Sequence, residues 1–347
     1  MQKNVLTQEL VSRVRQYSFM KYIGLLPNPD KVLSYAGRSY ETLRDLMNDP
    51  HVWSCVQSRK SGITNCKWEI SMNDKIGQDI KTIFEKIDLS SLISSIFNAI
   101  LFGFQPIEII WKLDNTGELS IVPDRFVPLP QEYFGFSPNG KLLLKGNSLN
   151  EFVELPEGKM ICPQYEATLQ NPYGTALLSK CYWACTFKNG AFRFWMNFME
   201  RYGMPLLIGQ YQRYATTQEV EALADSLVNM AENSVIVAPE GIDIKLAEAS
   251  RTSSVELYYQ LVRTCNAEIS KALLSQTLTT ELDSGSYAAS RTHYSIRREV
   301  IMSDLQFVQH YLQKLIDLIY KVNSIQNTDT KFVFTPENFA DASDEQK

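Results

Sequence analysis

The residues of this chain best suited to chemistry are two cysteines and a histidine with polar neighbours. Cys181 and Cys185 are spaced i, i+4 on a predicted helix, which would place two thiolates on one face, as in a zinc site. No CxxC pair and no nearby histidine completes four ligands, so packed thiols are the favoured interpretation. His293, with Asp283 and Ser284 nearby, suggests a hydrolase, but the spacing matches no nucleophile elbow.

Acidic pairs are the next candidates, because two carboxylates can divide general acid and base work. Glu219 with Glu221 and Glu281 with Asp283 both lie among polar residues, which indicates solvated charges. The sequence also contains no Walker A, GxSxG, HExxH or GxGxxG motif. We therefore predict no catalytic residue, no metal site and no cofactor, and we expect a structural or interaction protein.

A basic cluster offers one further possibility, a phosphate-facing patch. Its members are Lys271, Arg291, Arg297 and Arg298. The simpler interpretation is ion pairing on the same or adjacent helical turns, of Arg297 or Arg298 with Glu299 or Asp304.

Composition narrows the class of protein. The length of 347 residues predicts about two domains, and a hydrophobic content of 44% is enough for a sizeable core. The formal net charge of −5 argues against a protein that coats nucleic acid through a broad basic surface. Six scattered cysteines indicate reduced, intracellular thiols, and we expect no signal peptide. The uncharged stretch between Asp88 and Glu108 is interrupted by polar residues, so we predict a buried amphipathic helix there instead of a membrane span.

Hydrophobic periodicity predicts an α+β protein whose first half mixes helices and short strands. Helical patterns cover Tyr40–Thr64, broken at Asp49-Pro50, and Ile76–Phe102, broken at Asp88. Alternation from Cys66 to Met72 predicts a strand between them. Short apolar runs punctuated by turns from Pro106 to Cys162 predict a meander of antiparallel strands.

Long helices dominate the second half. Thr175–Tyr202 is aromatic on most faces, so we expect it to be buried all round, by its own chain or by neighbouring copies. A β-α-β-β unit with a capping box at Thr216 and Glu219 follows. Helices over Ser253–Leu274 and Tyr287–Asn323 then flank a polar loop, and Lys331–Phe334 forms a last strand.

Several local strings, in this order and spacing, resemble the Mu-like portal protein family of tailed bacteriophages and prophages. They are Gly103-Phe104, Glu108-Ile109-Ile110-Trp111, Asp124-Arg125-Phe126, Pro156-Glu157-Gly158-Lys159, Pro172-Tyr173-Gly174, Glu200-Arg201-Tyr202-Gly203-Met204-Pro205, and Gln276-Thr277-Leu278-Thr279-Thr280 followed by Gly285-Ser286 and His293. The resemblance covers roughly residues 40–323.

The resemblance implies the phage portal fold. Mapped by order, its parts are an N-terminal arm (1–39), a strand-rich wing and body (40–175), a first stem helix (176–203), a small α/β clip (204–250), a second stem helix (251–274), a channel or tunnel loop (275–287), a long body helix (288–323), and a C-terminal strand and tail (324–347).

The family also implies a function and partners. Its members form rings, usually dodecamers, at one capsid vertex, through which double-stranded DNA is packaged and later ejected without sequence specificity. The expected partners are other copies of the chain, the terminase large subunit, the head–tail adaptor, and capsid and scaffold proteins, with no membrane. The expected location is the virion, and the host cytoplasm during assembly. The alternatives are a nuclease or hydrolase that processes phage DNA, or another ring component of the head–tail connector.

Three groups of residues take roles from this resemblance. The DNA-channel loop comprises Gln276, Thr277, Thr279, Thr280, Glu281, Asp283, Ser284, Gly285 and Ser286. The clip surface that docks partners comprises Tyr211, Arg213, Glu219, Glu221, Asp225, Glu240 and Asp243. The stem interface between copies comprises Trp183, Phe187, Phe194, Trp195, Phe198, Tyr258 and Leu261.

Overall fold

The computed structural model describes most of the chain, in two compact units. The described residues are 26, 28–34, 39–72, 75–114, 117–146, 152–202, 206–209, 216–222, 224–225, 244–247, 252–277, 287–326 and 329–335. The first unit comprises Met1–Trp183 and Ala267–Lys347, and the second comprises Ala184–Asn266. No helix within the described ranges is both long and apolar enough to cross a membrane.

Helices and strands alternate along the chain. The helices are α1 (Lys31–Ser34), α2 (Tyr40–Asp45), α3 (Pro50–Thr64), α4 (Lys75–Lys86), α5 (Leu89–Phe102), α6 (Leu177–Tyr202), α7 (Thr252–Leu274) and α8 (Tyr287–Val322). The strands are β1 (Lys67–Ser71), β2 (Ile107–Leu113), β3 (Ile121–Pro128), β4 (Phe134–Phe136), β5 (Leu142–Lys145), β6 (Phe152–Glu154), β7 (Met160–Ile161), β8 (Leu206–Gly209), β9 (Ile244–Ala247) and β10 (Lys331–Thr335).

Local capping residues set the starts of α3 and α5, at the two breaks in the helical pattern that the sequence predicts. The side chain of Asp49 accepts hydrogen bonds from the backbone N–H groups of His51 and Val52, at 2.8 and 3.2 Å, with Pro50 in the first turn. Asp88 accepts from the N–H of Ser91 at 3.0 Å. The helix that follows Asp88 is largely buried in the first unit, which confirms the predicted buried helix.

The strands between α5 and α6 form two separate three-stranded sheets, in the orders β3-β2-β7 and β4-β5-β6. The predicted single meander is therefore wrong in its pairing. β7 returns to β2, with Ile107 opposite Ile161, and β6 pairs with β5 in the other sheet. β1 and β10 pair across nearly the whole chain, with Ile70 opposite Phe332.

Two glycines in strings that carry the family resemblance meet in space. Gly103 and Gly174 have φ angles of 91° and 73°, which L side chains rarely adopt. A Cβ on Gly103 would lie 2.5 Å from the carbonyl oxygen of Tyr173, and a Cβ on Gly174 would lie 2.3 Å from the carbonyl oxygen of Gly103. This close backbone approach joins the end of α5 to the segment that leads into α6.

α8 is the central helix of the first unit. Its buried residues include Ile301, Leu305, Val308 and Leu312. Phe307, in contrast, is only partly buried. The helix contacts α3, α5 and β10, so its buried face is broader than one amphipathic stripe.

Described residues near the N-terminus pack against the chain's own first unit. The N–H of Leu26 donates to the carbonyl oxygen of Phe136 at 2.8 Å, and the Tyr173 hydroxyl donates to the carbonyl oxygen of Leu26 at 2.6 Å. Ser179 donates to the carboxylate of Asp30 at 2.8 Å. This part of the predicted N-terminal arm is thus docked on its own chain.

The second unit contains the antiparallel pair β8 and β9, with Leu206 opposite Ala247. A helical segment covers residues 217–222 and 224–225. The predicted capping box is confirmed, because Glu219 accepts from the N–H of Thr216 at 2.8 Å while the Thr216 hydroxyl accepts from the N–H of Glu219 at 3.4 Å. The predicted strand Val235–Ala238 lies outside the described residues.

Candidate subunit interface

Exposed apolar side chains are concentrated on α6 and α7. Within the described parts of the chain, fourteen large hydrophobic residues are exposed, and nine of them lie on these two helices: Trp183, Phe187, Phe192, Phe194, Met196, Met199, Leu257, Tyr259 and Leu261. A concentration of this kind on a protein surface typically marks a contact with another molecule.

The chain buries only a narrow seam of α6. Leu178, Cys181, Cys185, Lys188 and Ala191 are buried and follow one another in steps of three or four residues along the chain, and Trp195 continues this line half-buried. The sequence predicts that α6 is buried all round, by its own chain or by neighbouring copies, and the single chain by itself leaves Trp183, Phe187, Phe192 and Phe194 exposed.

The exposed residues of α6 form two flanks. The first flank is Trp183, Phe187 and Phe194, and the second flank is Phe192, Met196 and Met199. At 3.6 residues per turn, the two flanks lie on nearly opposite sides of the helix, about 165° apart. Beyond residue 190, the first flank lies about 70° to one side of the buried seam and the second about 100° to the other side.

α7 is arranged in the same way. Cys265 and Ile269 are buried, and Tyr258 and Val262 lie half-buried on the same side of the helix. Leu261 is exposed and lies beside this seam, not within it. Leu257 projects on the same side of α7 as Leu261, whereas Tyr259 projects on the other side.

α6 and α7 touch each other within the second unit through aromatic rings. The ring centroids of Phe198 and Tyr258 are 6.0 Å apart, with an angle of 53° between their planes. Both residues remain half-buried. On α6, the rings of Phe192 and Trp195 stack at 6.3 Å. Contacts between these aromatic side chains therefore order part of the apolar surface of α6 and α7 within the single chain.

The predicted stem residues fall into two classes. Trp183, Phe187, Phe194 and Leu261 are exposed, whereas Trp195, Phe198 and Tyr258 are half-buried. Five exposed residues are missing from the prediction, namely Phe192, Met196, Met199, Leu257 and Tyr259. The second flank of α6 includes two methionines, whereas the stem prediction for this helix rests on aromatic residues alone. The helical spacing of Phe192, Met196 and Met199 is the signal that could have revealed this flank.

The predicted clip residues are described only in part. Glu219, Glu221 and Asp225 are exposed. Hydrogen bonds from the backbone and hydroxyl of Thr216 lower the pKa of Glu219, so this carboxylate is a helix cap as well as a surface charge. The other predicted clip residues lie outside the described ranges: Tyr211, Arg213, Glu240 and Asp243.

The structure describes the start of the predicted channel loop. α7 ends at Leu274, and Ser275 follows with a φ angle of 57°. Gln276 is buried and Thr277 is half-buried. The remaining members lie outside the described residues: Thr279, Thr280, Glu281, Asp283, Ser284, Gly285 and Ser286.

Among the described residues, no group of three or more His, Cys, Asp or Glu side chains is placed to hold a metal ion. Cys181 and Cys185 are buried thiols outside any disulfide, and the Cys181 thiol lies 3.8 Å from the carbonyl oxygen of Leu177. Asp283, Ser284 and the side chain of His293, the suggested hydrolase group, lie outside the described set.

The predicted pairing of Asp304 with an arginine of its own helix is wrong. Arg297 donates to the carbonyl oxygen of Ser58 at 3.4 Å, and Asp304 pairs with Arg59 of α3. Lys271 pairs with Glu268 on the surface of α7. The spacing along α8 is compatible with an arginine of the same helix as the partner of Asp304. Asp304 lies in the core, however, and its carboxylate faces α3.

A family model and two curated proteins match this chain. The model, described as the portal protein of Mu bacteriophage, matches residues 40–346. The Mu-like prophage FluMu protein gp29 of Haemophilus influenzae is 24% identical over 287 residues, which cover 80% of this chain and 55% of that protein. The portal protein of Escherichia phage Mu is 25% identical over 295 residues, covering 81% of this chain and 56% of that protein. The chain thus spans about half the length of these relatives.

Two solved structures resemble the chain. A chain from the virion of a native gene transfer agent particle aligns with a TM-score of 0.59 at 12% identity, covering 89% of this chain and 88% of that one. An HK97 family phage portal protein from Corynebacterium diphtheriae aligns with a TM-score of 0.48 at 9% identity, covering 86% of this chain and 96% of that one. The first of these likenesses shows a shared fold.

Proposed function

Because the chain belongs to the family of Mu bacteriophage portal proteins, we propose that its copies assemble into a closed ring, a dodecamer, at one vertex of a virion capsid. The α+β fold predicted from the sequence is confirmed, and a chain from the virion of a native gene transfer agent particle shares the fold. The ring, its subunit number and its place in the capsid are the parts that we propose.

The two flanks of α6 are the observation that carries this proposal. In a ring, each copy contacts two neighbours through two different surfaces, so each subunit needs two unlike adhesive faces. A two-fold dimer needs only one self-complementary face. The first flank is built from aromatic residues and the second from one phenylalanine and two methionines, on opposite sides of one helix. If the first flank of each copy packs against the second flank of the next copy around a circle, both flanks of every copy are covered.

We propose that double-stranded DNA passes through the centre of this ring without being bound tightly. A net charge of −5 on every copy makes the assembly acidic, so general affinity for the phosphate backbone would be low. The predicted channel loop adds Glu281 and Asp283, which repel phosphates, and Gly285, which permits backbone freedom. A conduit needs these properties, because DNA must move through it.

The proposed partners follow from the same assignment. The clip surface would dock the terminase large subunit during packaging and the head–tail adaptor afterwards, with Glu219, Glu221 and Asp225 as its described charged residues. Capsid and scaffold proteins would surround the ring. In this assignment the terminase supplies the chemistry and the ring itself hydrolyses nothing. Assembly would take place in the host cytoplasm.

The test is complementation between two interface variants. One variant carries Phe187→Arg and Phe194→Arg on the first flank, and the other carries Met196→Arg and Met199→Arg on the second. Alone, each should remain monomeric in mass photometry. Mixed, they should form heterodimers and nothing larger, because one intact flank on each copy still makes a single contact.

A matched control and a contrary result complete the test. Tyr133→Arg is the matched control, because Tyr133 is 59% exposed and Phe187 is 57% exposed. Since Tyr133 lies outside α6 and α7, this variant should leave the oligomeric rings intact. If either flank variant alone formed discrete dimers, each flank would be pairing with itself, and the ring proposal would be wrong.

A further inference from the structure

α6 and α7 form an antiparallel pair of helices in the second unit. α6 precedes β8 in the chain and β9 precedes α7, and the antiparallel pairing of Leu206 with Ala247 brings the end of α6 and the start of α7 to the same end of the unit. Phe198, about one turn before the end of α6, contacts Tyr258, less than two turns into α7. The two helices therefore run in opposite directions from this contact.

This aromatic contact also sets which residues of the two helices lie at the same height. Both helices rise about 1.5 Å per residue, so a step back along α6 matches an equal step forward along α7. Phe194 comes four residues before the α6 member of the contact, and Leu261 comes three residues after the α7 member. Met196 and Tyr259 correspond in the same way, at two residues and one residue. Each of these pairs is therefore level to within one residue.

The sense of rotation along each helix decides the side on which a residue lies. Viewed from the N-terminus of its own helix, Phe194 lies counter-clockwise of the buried seam of α6, and Leu261 lies counter-clockwise of the buried seam of α7. Met196 and Tyr259 both lie clockwise of these seams. Because the helices are antiparallel and face each other, equal senses of rotation correspond to the same side of the pair. The exposed apolar residues of α7 therefore continue the two flanks of α6.

The exposed apolar residues of the helix pair thus fall on two faces. The first face comprises Phe187, Phe194, Leu257 and Leu261. The second face comprises Phe192, Met196, Met199 and Tyr259. On the second face, the guanidinium carbon of Arg263 lies 5.7 Å from the ring centroid of Tyr259. Aromatic residues, methionine and arginine are the types enriched where proteins bind one another.

The area that these faces expose fits a contact between two copies of the chain. At about 200 Å² per large side chain, the α6 residues of both faces together expose roughly 550 Å², and the α7 residues raise this to roughly 850 Å², since Leu257 is 71% and Tyr259 45% exposed. A standard interface buries about 1,600 Å², of which about 57%, or roughly 900 Å², is apolar. α6 by itself falls short of this apolar area, whereas the two helices together nearly supply it.

We propose that α7 shares both subunit contacts with α6, so that the first face of one copy packs against the second face of the next copy. The molecule that covers both faces is then another copy of this chain and not a different protein. This proposal rests on the ring proposed above and specifies its contact surfaces. It gives Leu257, Leu261 and Tyr259 a place in two particular contacts.

Complementation tests the assignment of Leu257 and Leu261 to the first face. A variant with Leu257→Arg and Leu261→Arg should form no rings by itself. Mixed with the second-flank variant described above, it should form heterodimers in mass photometry, because its intact second face meets an intact first face. Mixed with the first-flank variant it should stay monomeric, because both chains then lack a working first face.

Tyr259→Arg tests the second face independently. This variant should form heterodimers with the Leu257→Arg, Leu261→Arg variant and stay monomeric with the second-flank variant. The substituted side chains are exposed or half-buried and arginine favours helices, so the variants should fold. The matched control combines Glu256→Gln with Gln260→Arg, which also adds two positive charges to α7. These residues are exposed on the side of α7 away from α6 and are hydrogen-bonded to each other at 2.7 Å, so the control should assemble into rings.

The contrary results separate this proposal from the ring itself. Rings formed by the Leu257→Arg, Leu261→Arg variant, or heterodimers between it and the first-flank variant, would overturn the assignment of α7. Intact rings of Tyr259→Arg would remove this residue from the second face. If the two flank variants of α6 fail to form heterodimers with each other, the ring proposal is wrong. If they do form them while the α7 variants sort differently, the ring stands and the α7 assignment is wrong.

Discussion

The first flank of α6 makes a quantitative prediction about assembly. Phe187 is 57% exposed in the single chain. A phenylalanine side chain buries about 200 Å² when it is fully covered, so about 110 Å² of Phe187 is left for a neighbouring subunit to cover. At about 25 cal/mol per Å², covering it contributes up to about 3 kcal/mol to each contact. Phe187→Ser should therefore weaken the affinity between subunits by up to about 100-fold.

The same substitution should leave the folding of the chain almost unchanged. A side chain that is largely exposed in the monomer contributes little to its free energy of unfolding, so we expect a change within about 0.5 kcal/mol. The measurement is mass photometry through a dilution series, with urea unfolding of the monomer alongside it. Rings of the Phe187→Ser variant should dissociate at higher protein concentration than rings of the unmodified chain.

Tyr133→Ser is the control, because Tyr133 is 59% exposed and lies on neither α6 nor α7. It should dissociate at the same concentration as the unmodified protein. The reasoning is refuted if Phe187→Ser rings resist dilution as well as unmodified rings do, or if both variants weaken assembly equally. The first result would place the interface elsewhere, and the second would reflect general loss of apolar surface.

Three further predictions concern the stability of single helices. Asp88→Ala should destabilise the chain by about 1 kcal/mol at pH 7 through loss of a helix cap. Hydrogen bonds from Ser91 lower the pKa of Asp88. The ionised carboxylate therefore stabilises the fold above its ordinary pKa, and this stability is lost as the pH falls through the lowered pKa. Urea unfolding at pH 7 and at pH 3 should show that Asp88→Ala costs less stability in acid. Gly62→Ala should destabilise by about 1–3 kcal/mol, because the new Cβ would lie 2.6 Å from the buried side chain of Ile301, and a higher unfolding midpoint would contradict this. Gly190→Ala should stabilise the monomer by about 1 kcal/mol in the same assay, because no atom lies within 4 Å of the added Cβ and alanine favours the helix.

Capping residues and turns were predictable from the sequence because their partners are close in the chain. Asp49 and Asp88 cap helices through N–H groups two or three residues away, and Thr216 with Glu219 forms the capping box that the pattern predicts. The short strings that carry the family resemblance are likewise local. They indicate the portal family without any knowledge of distances in the fold.

Pairings between distant segments were not predictable in the same way. β7 pairs with β2 across the intervening β4–β6 sheet, and β1 pairs with the last strand of the chain. The apolar alternation of a short strand shows which face is buried but not which strand lies beside it. The single meander predicted from turn spacing is wrong for this reason.

The sequence by itself determined the longer helices, the α+β class and the family, because each depends on residues within a few positions of one another. Only the tertiary structure decided which apolar residues of α6 the chain leaves uncovered, and that Arg59 pairs with Asp304 across 245 positions of sequence. Periodicity showed that α6 is apolar around most of its circumference, but the packing of the chain limits burial to a narrow seam. Burial and ion pairing depend on what the folded backbone brings together, and no local pattern contains that information.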